Sequence, residues 1–281
     1  MRIDLHVHTT ASDGTLTPAE VVALAAQKGV RAIAITDHDS VEGVAEALAA
    51  ANVLPHAPIV VPGVELSAVH QDRDVHILGY FVDHTDEGFL DYLRDLREAR
   101  MRRAEAIVSA LAAAGYTIDM RHVLALSAGA AVGRSHVARV LVEQGLADDV
   151  ADAFRRLLGR GKPFYVPKDV RSPEDAVRLV RAVGGVPVLA HPGVTGGDEI
   201  VPALVAHGLA GIEAYHGEHD EADRERYASI ADRLGLIVTG GTDFHDPGAP
   251  TGDLASTDIP PGILESLFAA ANRPLPARET P

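Results

Sequence analysis

Residues 1–13 read MRIDLHVHTTASD, with Ile3, Leu5 and Val7 alternating with Asp4, His6 and His8. Side chains two apart on a β-strand project to one face, so the segment predicts a core strand with both imidazoles on the same side. Two nitrogen donors followed by the Asp13 carboxylate, without sulfur, suit a hydrolytic zinc, manganese or iron centre. The alternative is a pair of histidines packed in a strand, and the rest of the chain has to decide between the two.

Further strands follow at regular intervals. Thr17-Pro18-Ala19-Glu20 is a capping box opening a helix to about Lys28, and Val30 to Thr36 is an apolar strand ending in Asp37-His38-Asp39, with a helix from Ser40 to Ala51. Ile59-Val60-Val61 leads through Pro62 and Gly63 to a second short run, Val64 to Ser67, and His76 to Phe81 is the next strand. After Ser172-Pro173-Glu174-Asp175 caps a helix to Val183, strands at Val186–Ala190, Gly211–Tyr215 and Leu236–Thr239 alternate with helices to His207, from Asp220 to Leu234 and from Pro261 to Ala271. Such alternation predicts a parallel sheet or barrel, with function at the C-terminal strand ends.

The alternation stops in the middle of the chain. Glu87 to Ala114 is helical in pattern, and shorter helices are readable at Arg121–Ser127, Ser135–Gln144 and Asp148–Leu158, with Gly-rich loops at 127–133 and 159–167. The expected organisation is a first barrel part at 1–96, an all-helical substrate-binding insertion at 97–168 and a second barrel part at 169–281.

Composition narrows the chemistry. The 281 residues are 47% hydrophobic, which fills the core of a barrel-type domain carrying an insertion. Absence of cysteine excludes disulfides, thiolate metal sites and a cysteine nucleophile. Aromatic residues make up 4% and tryptophan is absent, which argues against a base-stacking platform. No secretory signal pattern is present and no apolar run reaches the roughly 18 residues of a membrane span, so a cytoplasmic protein without a membrane partner is expected. The net charge of −15 argues against long nucleic acids, but residues 94–171 carry 14 basic and 9 acidic side chains, net +5, leaving 11 and 31, net −20, for the remainder.

His6, His8, Asp13, His38, Glu65, His191, Asp243 and His245 all fall at ends of separate strands, and His76 opens its own. That collection predicts a multinuclear metal site. Asp37 and Asp39 flank His38 and are candidates to orient imidazoles, although Asp39 also suits a helix cap. His56, His70, His84, His122 and His207 have no companion ligands and are expected at the surface.

Through DLHVHTTASDGT, AITDHDS, GVELS, HILGY, AHPG and TGGTDFH the sequence resembles the PHP (polymerase and histidinol phosphatase) family. The resemblance implies an α/β fold, a distorted seven-stranded TIM-like barrel with up to three divalent metals at its C-terminal face, manganese preferred and iron or zinc admissible. It implies His6, His8, Glu65 and Asp243 around one metal, Glu65 bridging to a second held also by His76 and His191, and Asp13, His38 and His245 around a third. Phosphoester hydrolysis by metal-activated water, with no side-chain nucleophile, is the implied chemistry.

Substrate choice is expected from the insertion. Gly133-Arg134-Ser135-His136 puts an arginine and a hydroxyl at a helix start, a good anion site, and Lys162, Tyr165 and Lys168 lie where the insertion returns to the barrel. These motifs look like the PHP branch acting on nucleotides, 3′,5′-nucleoside bisphosphate phosphatases and exoribonucleases trimming short 5′-phosphorylated RNA. The small bisphosphate is favoured by the acidic body, with 5′-to-3′ exoribonuclease, histidinol-phosphate phosphatase and a non-catalytic nucleotide-binding or polymerase-accessory module as alternatives. His216 and His219 follow a barrel strand and are further candidates for substrate contact; no obligate protein partner is evident.

Overall fold

The computed structural model describes residues 2–71, 73–127, 129–167, 171–248 and 252–277. Seven strands, β1 (Ile3–Val7), β2 (Ala32–Ile35), β3 (Ile59–His70), β4 (Arg73–Tyr80), β5 (Val186–Leu189), β6 (Gly211–His216) and β7 (Ile237–Gly241), lie side by side in sequence order. Past the end of β7, the His8 N–H donates to the Phe244 carbonyl at 2.8 Å and the Phe244 N–H to the His6 carbonyl at 3.2 Å, which nearly closes the sheet into a barrel. Buried Asp4 reinforces this seam, accepting from Thr242 N–H at 2.9 Å, Thr242 Oγ1 at 2.5 Å and Ala255 N–H at 2.7 Å.

One strand departs from the expected parallel arrangement. β4 runs antiparallel to both neighbours, whereas β1–β2, β2–β3, β5–β6 and β6–β7 are parallel. The cause is that β3 and β4 form a hairpin, in register from Gly63↔Tyr80 to His70↔Arg73, and a hairpin reverses direction. The start of β4 therefore sits at the barrel end where the other strands finish, and that is why His76, opening a strand, joins candidate ligands that close theirs. The two runs read around Pro62 are one strand: β2 pairs with β3 as far as Pro62, and β4 takes over from Gly63. Proline, lacking an N–H, stands where the partner changes.

The helices are α1 (Pro18–Gln27), α2 (Glu42–Val53), α3 (Glu87–Ala113), α4 (Met120–Ser127), α5 (Arg134–Glu143), α6 (Val150–Ala153), α7 (Pro173–Ala182), α8 (Pro192–Thr195), α9 (Val201–Ala206), α10 (Glu221–Leu234) and α11 (Ile263–Ala270). Thr17 and Glu20 cap α1 reciprocally, as the sequence pattern requires. The helix expected at 148–158 is α6 followed by a π-helical turn, Phe154–Leu158. The one expected up to His207 is broken into α8, a 3₁₀ turn and α9, because Gly196 and Gly197 both adopt positive φ between them. The last helix starts two residues late, after Gly262 at φ +94°.

Between β4 and β5 the described residues form helices and loops with their own apolar cluster, including Ile107, Leu111, Val137, Leu141 and Leu158. The barrel is packed by two others, one of which sets Leu264, Leu267 and Phe268 of α11 against Ile3, Leu5 and Tyr80. Among the described residues no helix is long and apolar enough to cross a membrane.

Candidate metal centre

Glu65 is the hub at the barrel mouth. It lies fully buried on β3, paired across the hairpin with Leu78, and strand alternation puts His76 on the same face as Leu78. Its two oxygens face different partners. Oε1 is 2.6 Å from His76 Nδ1 and 3.0 Å from His191 Nε2, while Oε2 is 2.9 Å from His38 Nδ1, 3.2 Å from His8 Nε2 and 3.4 Å from His6 Nε2.

The remaining expected ligands surround this carboxylate. Asp243 Oδ1 is 3.4 Å from His6 Nε2 and 3.0 Å from His8 Nε2. Asp13 Oδ1 is 3.3 Å from His245 Nε2 and 3.9 Å from His8 Nδ1, and the His8 and His245 rings stack at 4.2 Å. Donor atoms of His6, His8, Glu65 and Asp243 lie mutually within 4.8 Å, as do those of His8, Asp13, His38 and His245, and those of His38, Glu65 and His76. The backbone at three of the loops is left-handed without glycine, with φ +49° at Asp39, +25° at His191 and +52° at Asp243, local strain of about 1–3 kcal/mol each of the kind that collects at functional sites.

The donor set fits divalent cations. Buried His6 Nε2, His8 Nε2, His38 Nδ1, His191 Nδ1, Asp13 Oδ1 and Glu65 Oε2 make no hydrogen bond among the described residues. A core histidine is satisfied differently. His219, also buried, has Nδ1 on the Ala214 carbonyl at 2.9 Å and accepts the Gly193 N–H on Nε2 at 3.1 Å. Burial works against charge throughout the cluster, yet its imidazoles hold the Glu65, Asp13 and Asp243 carboxyls well below the usual range, while Asp243 and Glu65 raise the His8 ring to about 10. Nitrogen and oxygen donors at these separations, with one carboxylate shared, suit two or three ions of the manganese, iron or zinc type.

An outer layer fixes the rings. Glu213 on β6, fully buried, places Oε1 3.0 Å and Oε2 3.2 Å from His6 Nδ1, and Oε2 accepts the His191 N–H at 2.9 Å. Asp37 accepts from Thr9 N–H at 2.7 Å and from the Thr9 and Ser12 hydroxyls at 2.8 and 2.6 Å, and Ser12 Oγ lies 3.4 Å from His8 Nδ1. Asp39 does not cap α2, whose N-cap is Val41; it accepts the Ser67 N–H at 2.8 Å and pairs with Arg100 of α3. Asp4 and Glu213 escaped the sequence reading, although a carboxylate in the middle of the apolar run GIEAYH was a signal for Glu213.

Candidate substrate residues divide. A cavity of about 210 Å³ beside the cluster is lined by Asp13, His38 and His76 from the barrel and by Arg100, Arg103, Arg134, Ser135 and Phe154 from the helical stretch between β4 and β5. Ser135 Oγ donates to Asp13 Oδ2 at 2.6 Å. His136 is buried, its Nδ1 accepting the Gly133 N–H at 3.1 Å, a helix-start contact. Tyr165 lies beneath Arg103 and Arg134, and Lys162 is exposed outside the cavity lining. Lys168 lies outside the described residues. His216, fully buried, has Nδ1 on the Glu218 N–H at 3.2 Å and Nε2 3.8 Å from Asp243 Oδ2, so it backs the cluster, and both ring nitrogens of His219 meet backbone groups. Arg100 and Arg103 were missed because LREARMRRAEA reads as an ordinary solvated helix.

A model of the PHP domain matches residues 4–162. A 3′,5′-nucleoside bisphosphate phosphatase of Chromobacterium violaceum is 38% identical, covering 97% of this chain and 98% of its own. A 5′-3′ exoribonuclease of Escherichia coli is 37% identical over 87% of this chain and 85% of its own. A crystal structure from Bifidobacterium adolescentis, described as a candidate metal-dependent phosphoesterase, superposes with a TM-score of 0.88 at 32% identity, covering 95% of this chain and 96% of that one.

Proposed function

The chain belongs to the PHP domain family and is a hydrolytic phosphoesterase, and we propose that it removes the 3′-phosphate of nucleoside 3′,5′-bisphosphates, as in adenosine 3′,5′-bisphosphate to AMP and phosphate. The observation that carries this reading is one cavity lined both by residues of the carboxylate–imidazole cluster and by three arginines. A substrate with phosphates at both ends has a use for both walls, whereas a monophosphate such as histidinol phosphate needs only one. The activity of the similar Chromobacterium violaceum protein supports the same choice.

We assign His6, His8, Glu65 and Asp243 to one metal ion, Glu65, His76 and His191 to a second, and Asp13, His38 and His245 to a third, with manganese as the proposed occupant. Such ions, if bound, would lower the pKa of a water to about 7 and neutralise phosphate oxygens. The chain's own groups supply position. Glu213 holds the His6 ring through Nδ1 so that Nε2 points to Glu65, and Asp37 holds the 9–12 loop and, through Ser12, the His8 ring. In this reading no serine, threonine or histidine is a nucleophile, and no phospho-enzyme forms.

The helical stretch 97–168 is proposed as the insertion that selects substrate, between barrel parts 1–96 and 169–281. Arg134 at the start of α5 is its phosphate contact. A second reading, trimming of short 5′-phosphorylated RNA, is favoured by the similarity to the Escherichia coli exoribonuclease; against it stands the net charge of −20 outside residues 94–171, which repels a polyanion. Phosphate or nucleotide release with manganese from adenosine 3′,5′-bisphosphate, 5′-phosphorylated oligoribonucleotides and histidinol phosphate separates the readings. The bisphosphate is expected to have the highest kcat/KM. Preference for the oligoribonucleotide or for histidinol phosphate overturns the assignment, and turnover of none of the three points to a binding module.

A further inference from the structure

The side chains of the cluster are braced from two different parts of the chain. Glu213 of β6 fixes the His6 ring and the His191 N–H, Asp4 of β1 takes the Thr242 N–H beside Asp243, and the His76 carbonyl accepts the Ala190 N–H at 3.0 Å. All of these braces lie within the barrel. Asp13 is held differently. It stands in the loop after β1, and a hydroxyl and a guanidinium of α5, in the helical stretch, grip it from outside the barrel.

Ser135 Oγ donates to Asp13 Oδ2 at 2.6 Å, and Arg139 Nη2 donates to the Asp13 carbonyl at 2.6 Å. Ser135 and Arg139 are four residues apart on α5, so one helix face carries both donors. With Oδ2 and the main-chain carbonyl occupied, the buried Oδ1 is turned toward His245 Nε2 at 3.3 Å and His8 Nδ1 at 3.9 Å. Arg139 also reaches the next loop. Its Nη2 lies 3.9 Å from Asp246 Oδ2, one residue past His245, and the Thr15 N–H donates to the His245 carbonyl at 2.9 Å. The loops carrying Asp13 and His245 are therefore joined to each other and to α5. His38 is anchored in the barrel, its neighbour Asp39 donating an N–H to the Glu65 carbonyl at 2.9 Å, and Arg100 of α3 adds an ion pair to the Asp39 carboxylate.

Arg139 is not among the residues lining the cavity beside the cluster, so its guanidinium serves the loops and not a ligand in that cavity. A carboxylate on a loop has several rotamers open to it, and each one excluded in advance lowers the entropic cost of binding an ion. Partners that orient a metal ligand in this way are worth about 10–100-fold in affinity.

We infer that α5 completes the site of the third ion: Ser135 and Arg139 are positioning residues that aim Asp13 Oδ1 toward the donor atoms of His38 and His245, and affinity for that ion is coupled to docking of the helical stretch on the barrel. This rests on the assignment of Asp13, His38 and His245 to a third ion. The coupling is reciprocal, so an ion held by Asp13 tightens α5 on the barrel by the same factor.

The test is titration of manganese into the metal-free protein, with free ion followed by electron paramagnetic resonance. Ser135→Ala and Arg139→Ala each weaken the third ion by about tenfold or more and leave the other two within about twofold of wild type. Ser135→Thr, which keeps the hydroxyl, returns the third ion to within about threefold of wild type. Hydrogen exchange of the α5 amides in the wild type slows as the third ion binds. The coupling is overturned, with the metal assignment left standing, if both alanine variants keep wild-type affinity for the third ion, if all three ions weaken equally, or if α5 exchange does not respond to the third ion. Binding of no more than two ions by the wild type rejects the third-ion assignment itself, and the coupling with it.

Discussion

Replacing Glu213 with glutamine removes one buried charge while keeping its shape. The carboxylate serves two donors, His6 Nδ1 at 3.0 Å and the His191 N–H at 2.9 Å, and so ties a proposed ligand of one metal to the backbone of a proposed ligand of the next. The single amide oxygen of glutamine, set at the Oε2 position, keeps the His191 N–H and only the longer 3.2 Å contact with His6 Nδ1, while its NH₂ replaces the oxygen that stood at 3.0 Å. A lost charge-assisted bond costs roughly 2 kcal/mol, which for a chain of this size is a fall in Tm of about 3–4 °C. The effect on metal is expected to be larger in proportion, because His6 loses the partner that sets its tautomer and tilt; partners of this kind are worth about 10–100-fold in metal affinity. Manganese titration of the demetallated variant, followed calorimetrically alongside a thermal melt, measures both. Wild-type manganese affinity with only a lowered Tm would refute the positioning role and leave Glu213 as a packing residue.

Other perturbations have equally definite outcomes. Chelation of metal, compared with manganese at 100 times its dissociation constant, removes about 2.7 kcal/mol of stability and lowers Tm by about 5 °C; an unchanged melt contradicts metal binding to the folded chain. In Gly241→Ala the new Cβ would stand 2.4 Å from His6 Cβ and 2.5 Å from His6 N, so β1 must shift from β7, costing about 3 kcal/mol or more and lowering metal content on elemental analysis; retention of both shows that the seam is looser than its geometry. His219→Ala frees two backbone partners and lowers stability by about 1–3 kcal/mol in urea unfolding with KM unchanged, and a raised KM would return His219 to the substrate site.

The strands, and the side chains that gather at their ends, were more legible in the sequence than direction and pairing. His6 and His8 were legible because alternation with Ile3, Leu5 and Val7 dictates their face, and Thr17–Glu20 because a capping box is a local chemical arrangement. The antiparallel course of β4 was not, since strand direction depends on how a turn connects two segments and not on the residues between. His136 and His219 looked like site residues by position in the chain, yet His136 Nδ1 and both ring nitrogens of His219 go to backbone groups that only the folded turns bring near. Asp39 sits where a helix cap belongs, but a partner from α3, more than 60 residues away in sequence, takes one of its oxygens. Arg103 illustrates the same limit from the other side, since only packing against Tyr165 and Val166 separates it from neighbouring solvated arginines.

Glu65 as a hub shared between metal ions is the centre of the account, and anomalous diffraction at the manganese edge from crystals grown with the metal tests it most directly. Peaks are expected on both sides of Glu65, one among His6, His8 and Asp243 and one between His76 and His191, with a third among Asp13, His38 and His245. Peaks elsewhere on the protein, or none within reach of Glu65, would contradict it.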